Sequence, residues 1–166
     1  MKIGPSVEGY QRVDLKCLWD TMEVSVATDE EFQGVIYTRG SYSARKPPCF
    51  MDPTRGKKFR MKIPLDSCNT KNESGLYTNV LVLQHDDDLI MPGDAAFKLE
   101  CDFRTDKEIE VTSSINLKPV AVSSRIEIAD ADPGGKPIPE SKKLSVANHS
   151  STVTFRPKKL LLKEEL

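Results

Sequence analysis

Apolar and polar residues alternate with a period of two through much of the first part of the chain. VDLKCLW, residues 13 to 19, sets Val13, Leu15 and Cys17 against Asp14 and Lys16, the pattern of a strand with one buried face. MEVSVAT does the same with Met22, Val24 and Val26. FQGVIYT, residues 32 to 38, is β-branched and aromatic, and Gly34 marks a bulge or a close approach. FRMKIPL, residues 59 to 65, alternates Phe59, Met61 and Ile63 until Pro64 ends it. YTNVLVLQ, residues 77 to 84, offers either Val80 and Val82 or Leu81 and Leu83 as its inner face. AFKLECDF, residues 96 to 103, turns Phe97, Leu99, Cys101 and Phe103 inward. Turn signals separate these runs: the charged Thr28 to Glu31, the proline-rich ARKPPCFMDPTRGKK, and Asp86 to Asp88 followed by Pro92-Gly93. Short strands with turns between them, and no stretch favouring helix, predict an all-β antiparallel sandwich.

The texture changes after Phe103. Residues 105 to 120 are polar and read as a linker, with a strand signal at 109 to 117. AVSSRIEIAD, residues 121 to 130, alternates Val122, Ile126 and Ile128, and VTFRP, residues 153 to 157, suggests one more strand. Between them DADPGGKPIPESKK is rich in proline and glycine. With no cysteine and few large apolar residues, 121 to 166 reads as the incomplete start of a second β domain or a flexible, partly ordered tail. Residues 10 to 104 are the expected sandwich.

A net charge of −1, from 24 basic and 25 acidic residues, gives no case for nucleic-acid or membrane-surface binding. No run approaches the roughly 18 apolar residues of a membrane-spanning helix. The opening MKIGPSVEG has neither the basic nor the apolar region of a signal peptide. The chain therefore reads either as cytosolic or as a fragment whose targeting segments lie elsewhere. The four cysteines, Cys17, Cys49, Cys68 and Cys101, form no C-x-x-C, and neither His85 nor His149 stands near one at a ligand spacing. That removes the usual zinc signature and favours two disulfides in an oxidising compartment over four buried thiols. Three connectivities are possible. Placement favours Cys17 with Cys101, both on strands, and Cys49 with Cys68, both on loops. Loop-closure entropy would make these bridges worth up to about 4.6 and about 3.3 kcal/mol.

Catalysis, a cofactor and a metal site all lack their signatures. His85 with Asp86, Asp87 and Asp88 reads as a solvated turn rather than an acid–base cluster. Asp130 and Asp132 beside Pro133-Gly134-Gly135 read as an exposed turn rather than a calcium loop. Arg55, Lys57, Lys58, Arg60 and Lys62 suit a solvated hairpin face, with an acidic partner as the sharper alternative. Two N-x-S sequons, at Asn72 and Asn148, are glycan acceptors if the chain is secreted. Trp19 is either a surface anchor or, as the more ordinary choice, a structural aromatic packed on the first disulfide.

The order of Cys17, MEVSV, F-x-G-x-I-Y at 32 to 37, Cys49, Cys68, Y-T-N-V at 77 to 80 and L-x-C-x-F at 99 to 103 resembles the N-terminal half of a zona pellucida (ZP) domain, ZP-N. It is most similar to the invertebrate cuticle and apical-matrix group. The resemblance covers about residues 10 to 104. It implies an immunoglobulin-like sandwich with cysteines paired first to fourth and second to third. It also implies a structural role, in which secreted or membrane-anchored proteins assemble into extracellular filaments through a β edge and the linker after it. Partners would be further copies or other ZP-domain proteins, with no nucleic acid, and with membrane contact only through an anchor outside this chain. The strand ending at Phe103 and residues 105 to 118 are the expected contact. An extracellular ligand-binding ectodomain is the alternative. Phe103 stands where the family has a tyrosine, keeping the ring and losing the hydroxyl and its hydrogen bond; Phe103 and Tyr77 are expected to be structural aromatics. The cysteines of the second half, ZP-C, do not occur, and Lys142-Lys143 is the closest approach to a basic cleavage site.

Overall fold

In the computed structural model the described residues are 9–52, 56–85, 90, 94–104, 122–133, 138 and 144–157. Their elements are all strands: β1 (Tyr10–Cys17), β2 (Thr21–Phe32), β3 (Val35–Thr38), β4 (Phe50–Met51), β5 (Gly56–Pro64), β6 (Lys71–Glu73), β7 (Leu76–Gln84), β8 (Ala95–Asp102), β9 (Ser123–Ala129), β10 (Ser145–Asn148) and β11 (Thr152–Phe155). One sheet runs β11-β1-β2-β5. The other runs β10-β9-β8-β7-β3-β4, with β6 also on β7. Pairings are antiparallel throughout. The result is a β-sandwich, as the alternation predicts, and of the immunoglobulin-like kind that the resemblance implies.

The strands take their faces from that alternation. Val13, Leu15, Met22, Val24, Met61 and Ile63 come from one sheet, and Leu81, Leu83, Phe97, Leu99 and Ile126 from the other; all are buried in one core. Tyr10 and Phe155 pack edge-on against Phe97, with centroids 5.7 and 6.0 Å away, a geometry that suits the ring quadrupoles. β7 is buried on both faces. Leu81 and Leu83 enter the main core, while Val80 and Val82 join a second cluster with Val35, Tyr37, Phe50, Ala96 and Ala131 on the outer side of the sheet. Both faces proposed for YTNVLVLQ are therefore apolar for a reason. Gly34 separates β2 from β3 because a Cβ there would fall 1.9 Å from the Gln84 carbonyl oxygen.

Two expectations need correction. The charged stretch Thr28 to Glu31 is not a turn between strands. β2 continues through it to Phe32, with the β2–β5 register slipping between Ala27 and Phe32. More consequentially, the strands beyond residue 121 do not begin a second domain. β9 lies along β8 from Ala96↔Ala129 to Asp102↔Ser123. β11 lies along β1 from Val13↔Phe155 to Lys16↔Thr152. Ile126, Val153 and Phe155 are core residues of the same sandwich. Residues 105 to 120, with the strand expected at 109 to 117, lie outside the described residues, as does 121.

Candidate functional site

Two disulfides hold the scaffold. Cys17 on β1 is bonded to Cys101 on β8, with Cα atoms 5.7 Å apart, so this bridge ties one sheet to the other through the core. Cys49, just before β4, is bonded to Cys68 in the β5–β6 connection, with Cα atoms 5.2 Å apart. These are the pairs that placement favours, and among the described residues no cysteine is free. Cys68 and Asn69 both have positive φ, 58° and 63°, a left-handed turn that cysteine enters rarely. The buried Asn79 amide holds it, donating to the Cys68 carbonyl at 3.0 Å and to the Thr70 hydroxyl at 2.9 Å.

The remaining expected residues scatter over the surface. Tyr77 and Phe103 meet edge to face at 5.8 Å, beside the first bridge. Asn72 lies on β6, exposed, and Asn148 ends β10, also exposed. Trp19 is not a structural aromatic: it is 86% exposed. It sits in the tight turn where the Leu18 N–H donates to the Thr21 carbonyl. It lies past the last paired residue of β1, where none of the described strands covers it. His85 is no bare turn residue. Its Nδ1 and backbone N–H lie 2.7 and 2.8 Å from Oδ1 of Asp94, a fully buried carboxylate that the sequence reading missed. Asp86, Asp87 and Asp88 lie outside the described residues. The Asp130 carboxylate accepts from the Asp132 N–H at 2.9 Å, and its carbonyl accepts from the Arg39 guanidinium. Among the described residues no group of His, Cys, Asp and Glu could hold a metal ion.

Burial and charge shift several groups. Burial first, then Tyr42 and Asp94, push the Tyr37 hydroxyl up to about 12; it donates to Gln84 Oε1 at 2.6 Å. Burial, with Asp94 adding, raises Tyr10 still further. Hydrogen bonds from the Arg104 side chain hold the Asp102 carboxyl below its ordinary value.

Backbone at the sheet edges is a further surface for interaction. β8 cannot supply it, because β7 and β9 flank it along its length; the expected contact at the strand ending at Phe103 is corrected on that ground. Residues 105 to 118 lie outside the described residues. The edge strands β4, β6, β10 and β11 have two, three, four and four residues. β5 has nine, and among the described strands only β2 pairs with it. Along β5, Lys58, Arg60 and Lys62 are exposed and face the same way, while Met61 and Ile63 fill the core. Arg60 approaches Glu23 at 3.7 Å, a surface pair of small energetic weight. Arg55 lies outside the described residues, so the basic group is a row on one strand, with Lys57 beside it. Lysine on an edge is a common way to discourage indiscriminate strand pairing.

No curated protein and no solved structure matches the chain. A family model, the Cuticlin N-terminal domain, matches residues 12–103. Those residues carry both disulfides and eight of the strands, β1 to β8, save the first two residues of β1. The two disulfides fit an extracellular location. The match takes in more than half of the chain, so the protein belongs to the cuticlin N-terminal domain family, which makes it a structural component of cuticle or other extracellular matrix.

Proposed function

We propose that this chain is a polymerisation module of the ZP-N kind, secreted or anchored to a membrane elsewhere in the protein, and that it assembles filaments head to tail by strand addition at β5. The observation that carries the proposal is the nine-residue β5 edge with its row of cations. Two β5 strands pairing with each other would set like charges opposite one another, which is unfavourable. A strand with acids at every second position suits it better. The sequence after β8 has that spacing: Asp106, Glu108 and Glu110, with Lys107, Ile109 and Val111 at the alternate positions. Residues 105 to 118 of one copy are therefore the strand that joins β5 of the next, with backbone hydrogen bonds giving affinity and the charge row giving register. No residue performs a reaction in this role, and the disulfides keep the edge in one shape.

The test is a charge swap. Lys58→Glu with Arg60→Glu and Lys62→Glu abolishes filaments, read by sedimentation and electron microscopy. Adding Asp106→Lys, Glu108→Lys and Glu110→Lys to the same chain restores them. Filaments that survive the first set, or fail to return with the second, contradict strand addition at β5.

A ligand-binding ectodomain is the second reading. What favours it is a groove of about 450 Å³ lined by Tyr37, Tyr42, Val82 and Ala131 on the outer face of the larger sheet. Saturable binding of a small apolar ligand by a chain that stays monomeric would favour that reading instead.

A further inference from the structure

The most exposed large apolar side chain among the described residues is Trp19, and it shares a groove with a sequon. The groove is about 650 Å³ and lies between the β1–β2 turn and the β6–β7 hairpin, within the roughly 300–1,000 Å³ of small-ligand sites. Trp19 and Tyr77 line it, with Pro64 and Asn72. Asn72 and Tyr77 are cross-strand partners, so their side chains rise from the same face of the hairpin. The turn beyond them, Ser74-Gly75, has φ of 55° and 102°, the two positive values of a tight hairpin. Asn72 is fixed in orientation as well as place. Its Oδ1 accepts from the Gly75 N–H at 2.9 Å, and its Nδ2 lies 3.4 Å from the Tyr77 hydroxyl. The amide nitrogen that a glycan would occupy is thereby held at the groove.

We infer that this groove seats the first sugars of an N-linked glycan on Asn72, with Trp19 stacked on a sugar face. The inference rests on the extracellular reading. Transfer joins Nδ2 to the anomeric carbon of a polyprenyl-diphosphate-linked oligosaccharide. The C–N bond forms, the C–O bond to the diphosphate breaks, the diphosphate leaves, and one amide proton goes to the transferase's base. The second N–H stays on nitrogen, still able to meet Tyr77. A pyranose offers C–H bonds on one face and hydroxyls at its rim, which suits an indole on one wall and polar side chains such as Asp20 and Thr70 around the groove. Stacking there removes from water an indole that the protein leaves open.

The chain has a single tryptophan, so its fluorescence reports Trp19 alone. The full chain is secreted from eukaryotic cells behind an added signal peptide. Occupancy of Asn72 is read by peptide mass, and acrylamide quenching is measured before and after enzymatic removal of N-glycans under native conditions. Covering one of two open indole faces should halve quencher access, so the quenching constant rises about twofold on deglycosylation. Asn72→Gln should match the deglycosylated protein, and Asn148→Gln should match the untreated one. A glycan on Asn72 with unchanged quenching overturns the inference, as does secreted protein with Asn72 bare. Failure of the chain to be secreted overturns the extracellular reading and the inference with it.

Discussion

Tyr10 and Tyr37 govern how the protein meets alkali. In each the fold holds the neutral phenol, because burial penalises the anion. Their pKa values are raised, so the stability they contribute is complete below roughly 10, where an unfolded tyrosine ionises. It is lost as pH climbs, through about 12 for Tyr37 and beyond for Tyr10. An absorbance titration should find fewer than the four tyrosines ionised at a pH of roughly 11, with the missing phenolates appearing on adding guanidinium. Four phenolates in the folded protein at that pH would contradict this burial. The second bridge is the other residue-scale test. Replacing Cys49 and Cys68 together with alanine should lower stability by about 3 kcal/mol, measured by denaturant unfolding, while the first bridge still forms. Some residues were legible early. Cys17 and Cys101 alternate with polar neighbours, so their inward direction was plain. Trp19 was not legible, because nothing in the local sequence says whether an opposing layer covers a hairpin tip. Asp94 was not either. Beside Pro92-Gly93 it passes for a turn residue, and partners met in three dimensions, the His85 backbone and ring among them, accompany its burial.

At the scale of elements, β9 and β11 finish the sandwich that β1 to β8 begin. Without them β8 would expose a full edge and β1 would lose its outer neighbour. A chain ending at residue 104 should therefore aggregate or remain unfolded, while one ending at residue 157 should give a cooperative melt. A soluble, cooperatively melting 1–104 would refute this dependence. Phe155→Ala should cost about 3–5 kcal/mol, since it empties a fully buried ring site; a cost below about 1 kcal/mol, the level of an ordinary surface change, would place β11 outside the core. The strands of the first part were readable because one buried face imposes period two. β7 resisted assignment because its outer face is also covered, by the cluster around Tyr37 and Phe50. The role of the later strands was hidden for a different reason. Their own alternation was visible, but β9 pairs across a long connection and β11 pairs with the start of the chain. Such pairing leaves no trace in local pattern, and a polar stretch between apolar runs looks the same whether it links two domains or one.

At the scale of the whole molecule, cystine bridges between and beside the sheets join the two layers, β8 is covered on both sides, and among the described strands β5 is the longest with a single neighbour. The outer face of the smaller sheet is polar around Asp14, with Arg12 on it at 2.7 Å and Thr154 at 2.6 Å, so on this sheet backbone pairing and charge suit an added strand. Under the proposed strand addition, assembly should weaken as salt is raised, because the cation row on β5 is exposed and its attraction to acids is screened over about 10 Å at 0.1 M. The most direct measurement is amide hydrogen exchange, followed by mass spectrometry, on monomer and filament. Strand addition at β5 predicts new protection in peptides spanning 56 to 64 and 105 to 118 on assembly, with β10 and β11 unchanged. Protection confined to β10 and β11, with 56 to 64 exchanging as in the monomer, would contradict it.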